Sequence, residues 1–140
     1  MNADILVTTS RRTSFASEEI VNEDFSKYQR CKLLIIANEK NLPQALGGVL
    51  GLSEIVISTP ESISMISEAV NSKKYVLVFK AQGLDKKHRR FLDNFAKSKY
   101  IYLVEPGDLG QGIEDIWRSR PQIQGLKDNL LIREAINKIL

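Results

Sequence analysis

Five short runs of consecutive apolar residues punctuate this 140-residue chain, and no other feature limits its fold as much. They cover residues 4–9, 32–37, 54–58, 75–79 and 100–104 and are rich in Ile, Val, Leu and Tyr. Within each run the apolar residues follow one another rather than alternate with polar ones, the pattern of strands covered on both faces. Between and after them lie segments with helical spacing of apolar residues, near 14–27, 43–52, 61–72, 85–98 and 110–118, and a last one near 127–140. Strand and helix alternate, which predicts parallel pairing through right-handed crossovers. The fold expected is therefore a Rossmann-like α/β domain. It has three layers, αβα, and a five-stranded parallel sheet in the order 2-1-3-4-5, with residues 1–140 as one unit.

That order matters because the winding reverses between the first and third strands. Open α/β sheets bind ligands at the carboxyl ends of the strands beside such a reversal. Two loops carry the search for a site: 10–14 after the first strand and 59–64 after the third.

In the first loop Ser10, Arg11, Arg12, Thr13 and Ser14 follow a buried strand and precede a helix. Guanidinium forks suit phosphate oxygens, and the free amides of a helix start point the same way. The bland reading is a hydroxyl-rich cap with two solvated arginines. In the second loop Thr59 suits an N-cap, Pro60 the first helical position and Ser62 the first turn, so an anion is well received there. Glu61, Ser64, Glu68 and Asn71 then share one stripe, while Ile63, Ile66 and Val70 share another that faces the core. Glu68 lies two turns behind the anion-binding end, the separation between a diphosphate and its ribose. The bland reading is a polar outer face with Glu61 serving the helix dipole.

Composition removes several classes. The apolar share of 43% and the eight glycines are ordinary, and the lone Cys31 has no partner for an internal disulfide, which points to a reducing compartment. The longest apolar stretch, residues 45–52, carries three glycines and falls far short of the roughly 20 residues that span a bilayer. No leader is legible at the start, and the chain reads as cytoplasmic. The net charge of +3 is concentrated: residues 73–99 hold nine Lys or Arg against two acids. Such a block fits a solvated helix face, or a polyanion or membrane surface. Nucleic-acid binding through Lys86, Lys87, Arg89 and Arg90 ranks last of the functions considered.

Catalytic signatures are absent from the sequence. His88 falls on the packed stripe of its helix with Leu84, Phe91, Leu92 and Phe95, which suits a structural or rim position better than a general base. One Cys and one His far apart give no metal-ligand spacing, and neither nucleotide-binding glycine motif occurs. No cofactor is expected and no catalytic residue is assigned. Trp117, Tyr100 and Tyr102 fit a core or interface.

Taken in order, these residues resemble a known family. The carriers are Leu6-Val7-Thr8-Thr9-Ser10-Arg11-Arg12-Thr13, then Asn41-Leu42-Pro43, the run from Ser53 to Thr59, Glu61-Ser62-Ile63-Ser64-Met65-Ile66-Ser67-Glu68-Ala69, the run from Tyr75 to Phe79, and Arg89-Arg90-Phe91. Over about residues 4–105 the chain is similar to bacterial proteins related to the plant mitochondrial-fission ELM protein, which look like glycosyltransferases of the GT-B architecture. The resemblance implies the carboxyl-terminal half of such a protein, the half that grips a nucleotide-diphosphate sugar. Glu68 would then hold the ribose, Ser62 and Ser64 the diphosphate at a helix start, and Ser10, Arg11, Arg12 and Thr13 the loop beside it. The leaving diphosphate would be stabilised by those donors and not by a metal. Whether the chain is itself an enzyme stays open, because the half that faces the donor across the cleft is missing and the domain should be inactive alone.

Two partners follow from that incompleteness. The apolar surface expected on the helix at 127–140 would dock on an amino-terminal half supplied in trans or on a second copy. The alternative of another class is a Rossmann-like protein-interaction module with no nucleotide.

Overall fold

The computed structural model describes residues 2–39, 44–124 and 137–138; of the helix expected at 127–140 only residues 137–138, which are helical, are among them, and the rest lies outside the described residues. The chain divides into two compact units, Met1–Leu52 and Ser53–Leu140, each with its own parallel sheet.

The first unit runs β1 (Ile5–Thr8), α1 (Phe15–Ser26), β2 (Cys31–Ile35) and α2 (Ala45–Leu52). β1 and β2 pair in parallel with Leu6 opposite Leu33 and Thr8 opposite Ile35, after one irregularity beside Ile5. Helix α1 starts where Ser14, in extended conformation, accepts the Ser17 amide on its hydroxyl. Ile35, Ile36, Val49 and Leu50 are buried. Phe15 and Ile20 of α1, by contrast, are 73% and 59% exposed.

The second unit runs β3 (Ile55–Ser58), α3 (Ile63–Asn71), β4 (Tyr75–Phe79), α4 (Lys86–Lys97), β5 (Tyr102–Val104), a 3-10 turn (Pro106–Asp108) and α5 (Leu109–Ser119). Its sheet has the order β3-β4-β5, all parallel, with Leu77 opposite both Ile57 and Tyr102. Val76, Leu77 and Val78 at its centre are fully buried. Ile63, Ile66, Ala69 and Val70 from α3, and Phe91, Leu92 and Phe95 from α4, are buried too. The Phe91 and Phe95 rings lie 4.2 Å apart, and Tyr100 meets Phe95 edge-on at 5.4 Å. Gly112 allows the close approach of α5: a β-carbon there would stand 3.2 Å from Leu77 and from Val104.

Three helix ends in this unit are closed by cations in the left-handed region, Lys73 (φ 58°), Lys99 (φ 61°) and Arg120 (φ 44°). After α4 the Tyr100 amide reaches back to the Phe95 carbonyl and the Lys99 amide to Ala96, the paired closure usually built on glycine. Lysine at such a position carries the steric cost of its β-carbon but places its charge at the negative end of the helix dipole.

Parallel strands and helices alternate as in a Rossmann-like fold, with each pairing joining strands linked by a single helix within one unit. Two expectations need correction. Continuous runs were expected to be covered on both faces, and β4 is, but Leu33 in β2 and Ile57 in β3 are exposed. The third helix begins at Ile63 rather than near 61.

Candidate functional site

The loop after β1 is folded by its own hydroxyls. The Ser10 amide donates to Thr13 Oγ1 at 3.0 Å, the Thr13 amide to the Ser10 carbonyl at 3.0 Å, and the Arg12 amide to Ser10 Oγ at 3.2 Å. Ser10 and Thr13 are thus brought together as the frame of a tight turn. Arg11 and Arg12 project from it, exposed, and among the described residues neither guanidinium has a carboxylate partner. Two unpaired forks on a braced turn can take an anion at little cost in backbone ordering.

Beneath this turn lies a group the sequence reading missed. Glu18 is only 5% exposed, and its Oε1 accepts from Thr9 Oγ1 at 3.1 Å, from Asn38 Nδ2 at 2.9 Å and from the Asn38 amide at 3.4 Å. Thr9 Oγ1 in turn accepts the Ala37 amide at 2.9 Å, and Asn38 Nδ2 also donates to the Thr13 carbonyl at 3.2 Å. Glu18 and Glu19 look alike in the sequence, as the acidic face of a helix. Only contacts across nine and twenty residues tell them apart.

In the second unit, Thr59 to Ser62 forms a turn rather than the first turn of a helix, with the Ser62 amide 3.4 Å from the Thr59 carbonyl. Pro60 suits the second place of a β-turn as well as it suits a helix start, because both need the same φ. Ser62, not Thr59, is the N-cap of α3, and its hydroxyl caps nothing, resting 3.4 Å from Thr59 Oγ1. Among the described residues the amides of Ser64 and Met65 accordingly have no acceptor. Ser64 and Glu68 are exposed one turn apart on the same face, as the stripe predicted, while Ile63, Ile66 and Val70 are buried on the other. The later start brings Glu68 nearer the helix end, about 7.5 Å along the axis from Ile63 at 1.5 Å per residue. Its carboxylate has no partner among the described residues.

Other candidates resolve as structural. His88 Nδ1 lies 2.9 Å from Asp85 Oδ1, which also accepts the His88 amide at 2.8 Å as the N-cap of α4. Those bonds hold the Asp85 carboxyl below its usual value. Burial, with the nearby Tyr75 phenol, pushes Tyr102 up. Among the described residues no three His, Cys, Asp or Glu side chains gather as a metal site would need. No helix among them is long and apolar enough to cross a membrane.

A family model described as "Mitochondrial fission ELM1" matches residues 1–124. The chain belongs to this family. The match spans both units and extends beyond the residues on which the sequence resemblance rested, so the arginine loop and the α3 start both fall within the ELM1 family region. Neither a curated protein nor a solved structure matches the chain.

Proposed function

We propose that this ELM1-family chain is the nucleotide-diphosphate-sugar-binding half of a GT-B-like protein and does not turn over alone. In this reading the open amides and the hydroxyls of Ser62 and Ser64 receive a phosphate, Arg11 and Arg12 offset the diphosphate charge from the turn framed by Ser10 and Thr13, and Glu68 accepts hydrogen bonds from the ribose hydroxyls. The five strands would belong to one sheet of order 2-1-3-4-5 in a single cytoplasmic domain, with the amino-terminal half supplied by another chain or replaced by a second copy.

One observation carries the reading. Among the described residues two backbone amides at the start of α3 lack acceptors, and one turn further on the same exposed face stands a carboxylate without a partner. A helix start left uncapped by its own serine leaves donors for an anion, and the dipole favours negative charge there. Calorimetric titration of the full chain with UDP, GDP, ADP and CMP tests it. Saturable binding of one nucleotide, weakened roughly tenfold or more in Glu68→Ala, supports the reading, in line with the loss of hydrogen bonds to a charged group. No binding at millimolar concentration overturns it.

The exposed Phe15 and Ile20 favour a second reading, a protein-interaction module without nucleotide. Under it, Glu68→Ala leaves every interaction intact while Phe15→Ser abolishes partner binding.

A further inference from the structure

We infer that Glu18 is a positioning residue: its buried carboxylate sets the shape of the arginine turn and through it the affinity for an anion. The inference deepens the proposed function and rests on it for the ligand.

The connections are direct. Glu18 Oε1 gathers three donors, from the end of β1 (Thr9 Oγ1) and from the segment after β2 (the amide and side chain of Asn38). Thr9 can donate to Glu18 while accepting the Ala37 amide, and Asn38 has two hydrogens on Nδ2, one for Glu18 and one for the Thr13 carbonyl. Every bond in the group is therefore used consistently. The group fastens both ends of the turn, Thr9 just before Ser10 and Thr13 at its close. Among the described residues the exposed side chains of Arg11 and Arg12 make no bond that holds the turn, so its shape rests on the Ser10–Thr13 bonds within it and on the Glu18 group that fastens its ends.

Among the described residues Glu18 has no cationic partner, and a carboxylate 95% buried in this way is costly unless its hydrogen bonds compensate. All three bonds fall on Oε1, and among the described residues none falls on Oε2. A glutamine can keep that acceptor and present its amide nitrogen at the unused position. The effect of Glu18 is thus geometric, and the charge itself is dispensable.

The test compares Glu18→Gln and Glu18→Ala in the full chain by two readouts: amide hydrogen exchange, and calorimetric titration with whichever of UDP, GDP, ADP or CMP the unaltered chain binds. In Glu18→Ala the amides of Ser10, Thr13, Ala37 and Asn38 should exchange at least tenfold faster while those of Val76 to Val78 are unchanged, and nucleotide affinity should fall at least tenfold. Glu18→Gln should restore both. Unchanged exchange in Glu18→Ala overturns the inference, as does faster exchange with unaltered affinity. A glutamine variant as weak as the alanine one also overturns it, by showing that charge matters. If the unaltered chain binds no nucleotide, the proposed function falls along with the anion-affinity part of this inference, and exchange alone decides whether Glu18 shapes the turn. Unchanged spectra for the second unit in Glu18→Ala separate the effect from unfolding.

Discussion

β2 and β4 are both five-residue strands, and both were recognised from unbroken apolar runs. β4 is sealed, with Val76, Leu77 and Val78 at zero exposure, whereas β2 leaves Lys32 and Leu33 in solvent and buries only Ile35. The strands differ in what surrounds them. β4 lies between β3 and β5, packs against α3, and receives α5 closely at Gly112; β2 has one paired neighbour and α1. An apolar run thus records that a segment is suited to a sheet, while the number of layers available to cover it fixes how much it stabilises.

The sharpest way to break this comparison is paired truncation. Leu77→Ala should cost about 2–5 kcal/mol, because it opens a cavity in a fully packed centre, whereas Leu33→Ala should cost under about 1 kcal/mol. Urea denaturation measures both, and equal losses would show that β2 is covered after all. A second contrast lies at the helix starts. Ser14→Ala removes a working cap and should cost about 1 kcal/mol, while Ser62→Ala removes a hydroxyl that caps nothing and should leave the melting temperature unchanged. A comparable loss at Ser62 would mean that its hydroxyl serves the fold and not a ligand.

Smaller effects sharpen the account of the second unit. Lys73→Gly relieves a left-handed lysine and should stabilise by about 0.5–1 kcal/mol in the same denaturation experiment. The smallest effect concerns acid. Asp85 is held below its usual value of 3.8 by its backbone and side-chain bonds to His88, so its contribution is complete above that value and is lost as pH falls through the lowered one. Denaturation midpoints compared at pH 5 and pH 2.5 should therefore fall less in Asp85→Asn than in the unaltered chain.

What the sequence made legible follows from range. All five strands lie on the expected runs, and α1 and α4 start beside Ser14 and Asp85, because a strand run and a cap are each written within a few residues. The exposed stripe of Ser64 and Glu68 was legible for the same reason. The start of α3 was misjudged because Pro60 satisfies two local grammars, and only the Thr59–Ser62 turn distinguishes them. Glu18, Asn38 and Arg120 were missed because their meaning is non-local. Each takes its role from partners 9 to 66 residues away.

Arg120 has one further consequence. Its guanidinium lies 3.7 Å over the Trp117 ring, its Nε donates to the Trp117 carbonyl, and its Nη1 meets Glu54 at 2.6 Å, while Tyr75 Oη bonds the Pro121 carbonyl. Glu54 stands immediately before β3 and Arg120 immediately after α5, so the segment from β3 to α5 is buckled end to end within the second unit. A body whose entry and exit share one point can be cut out, re-inserted or circularly permuted with little disturbance to its interior. The buckle gives residues 54–120 the joined ends of a cassette, the geometry that lets a segment move between chains as a single piece.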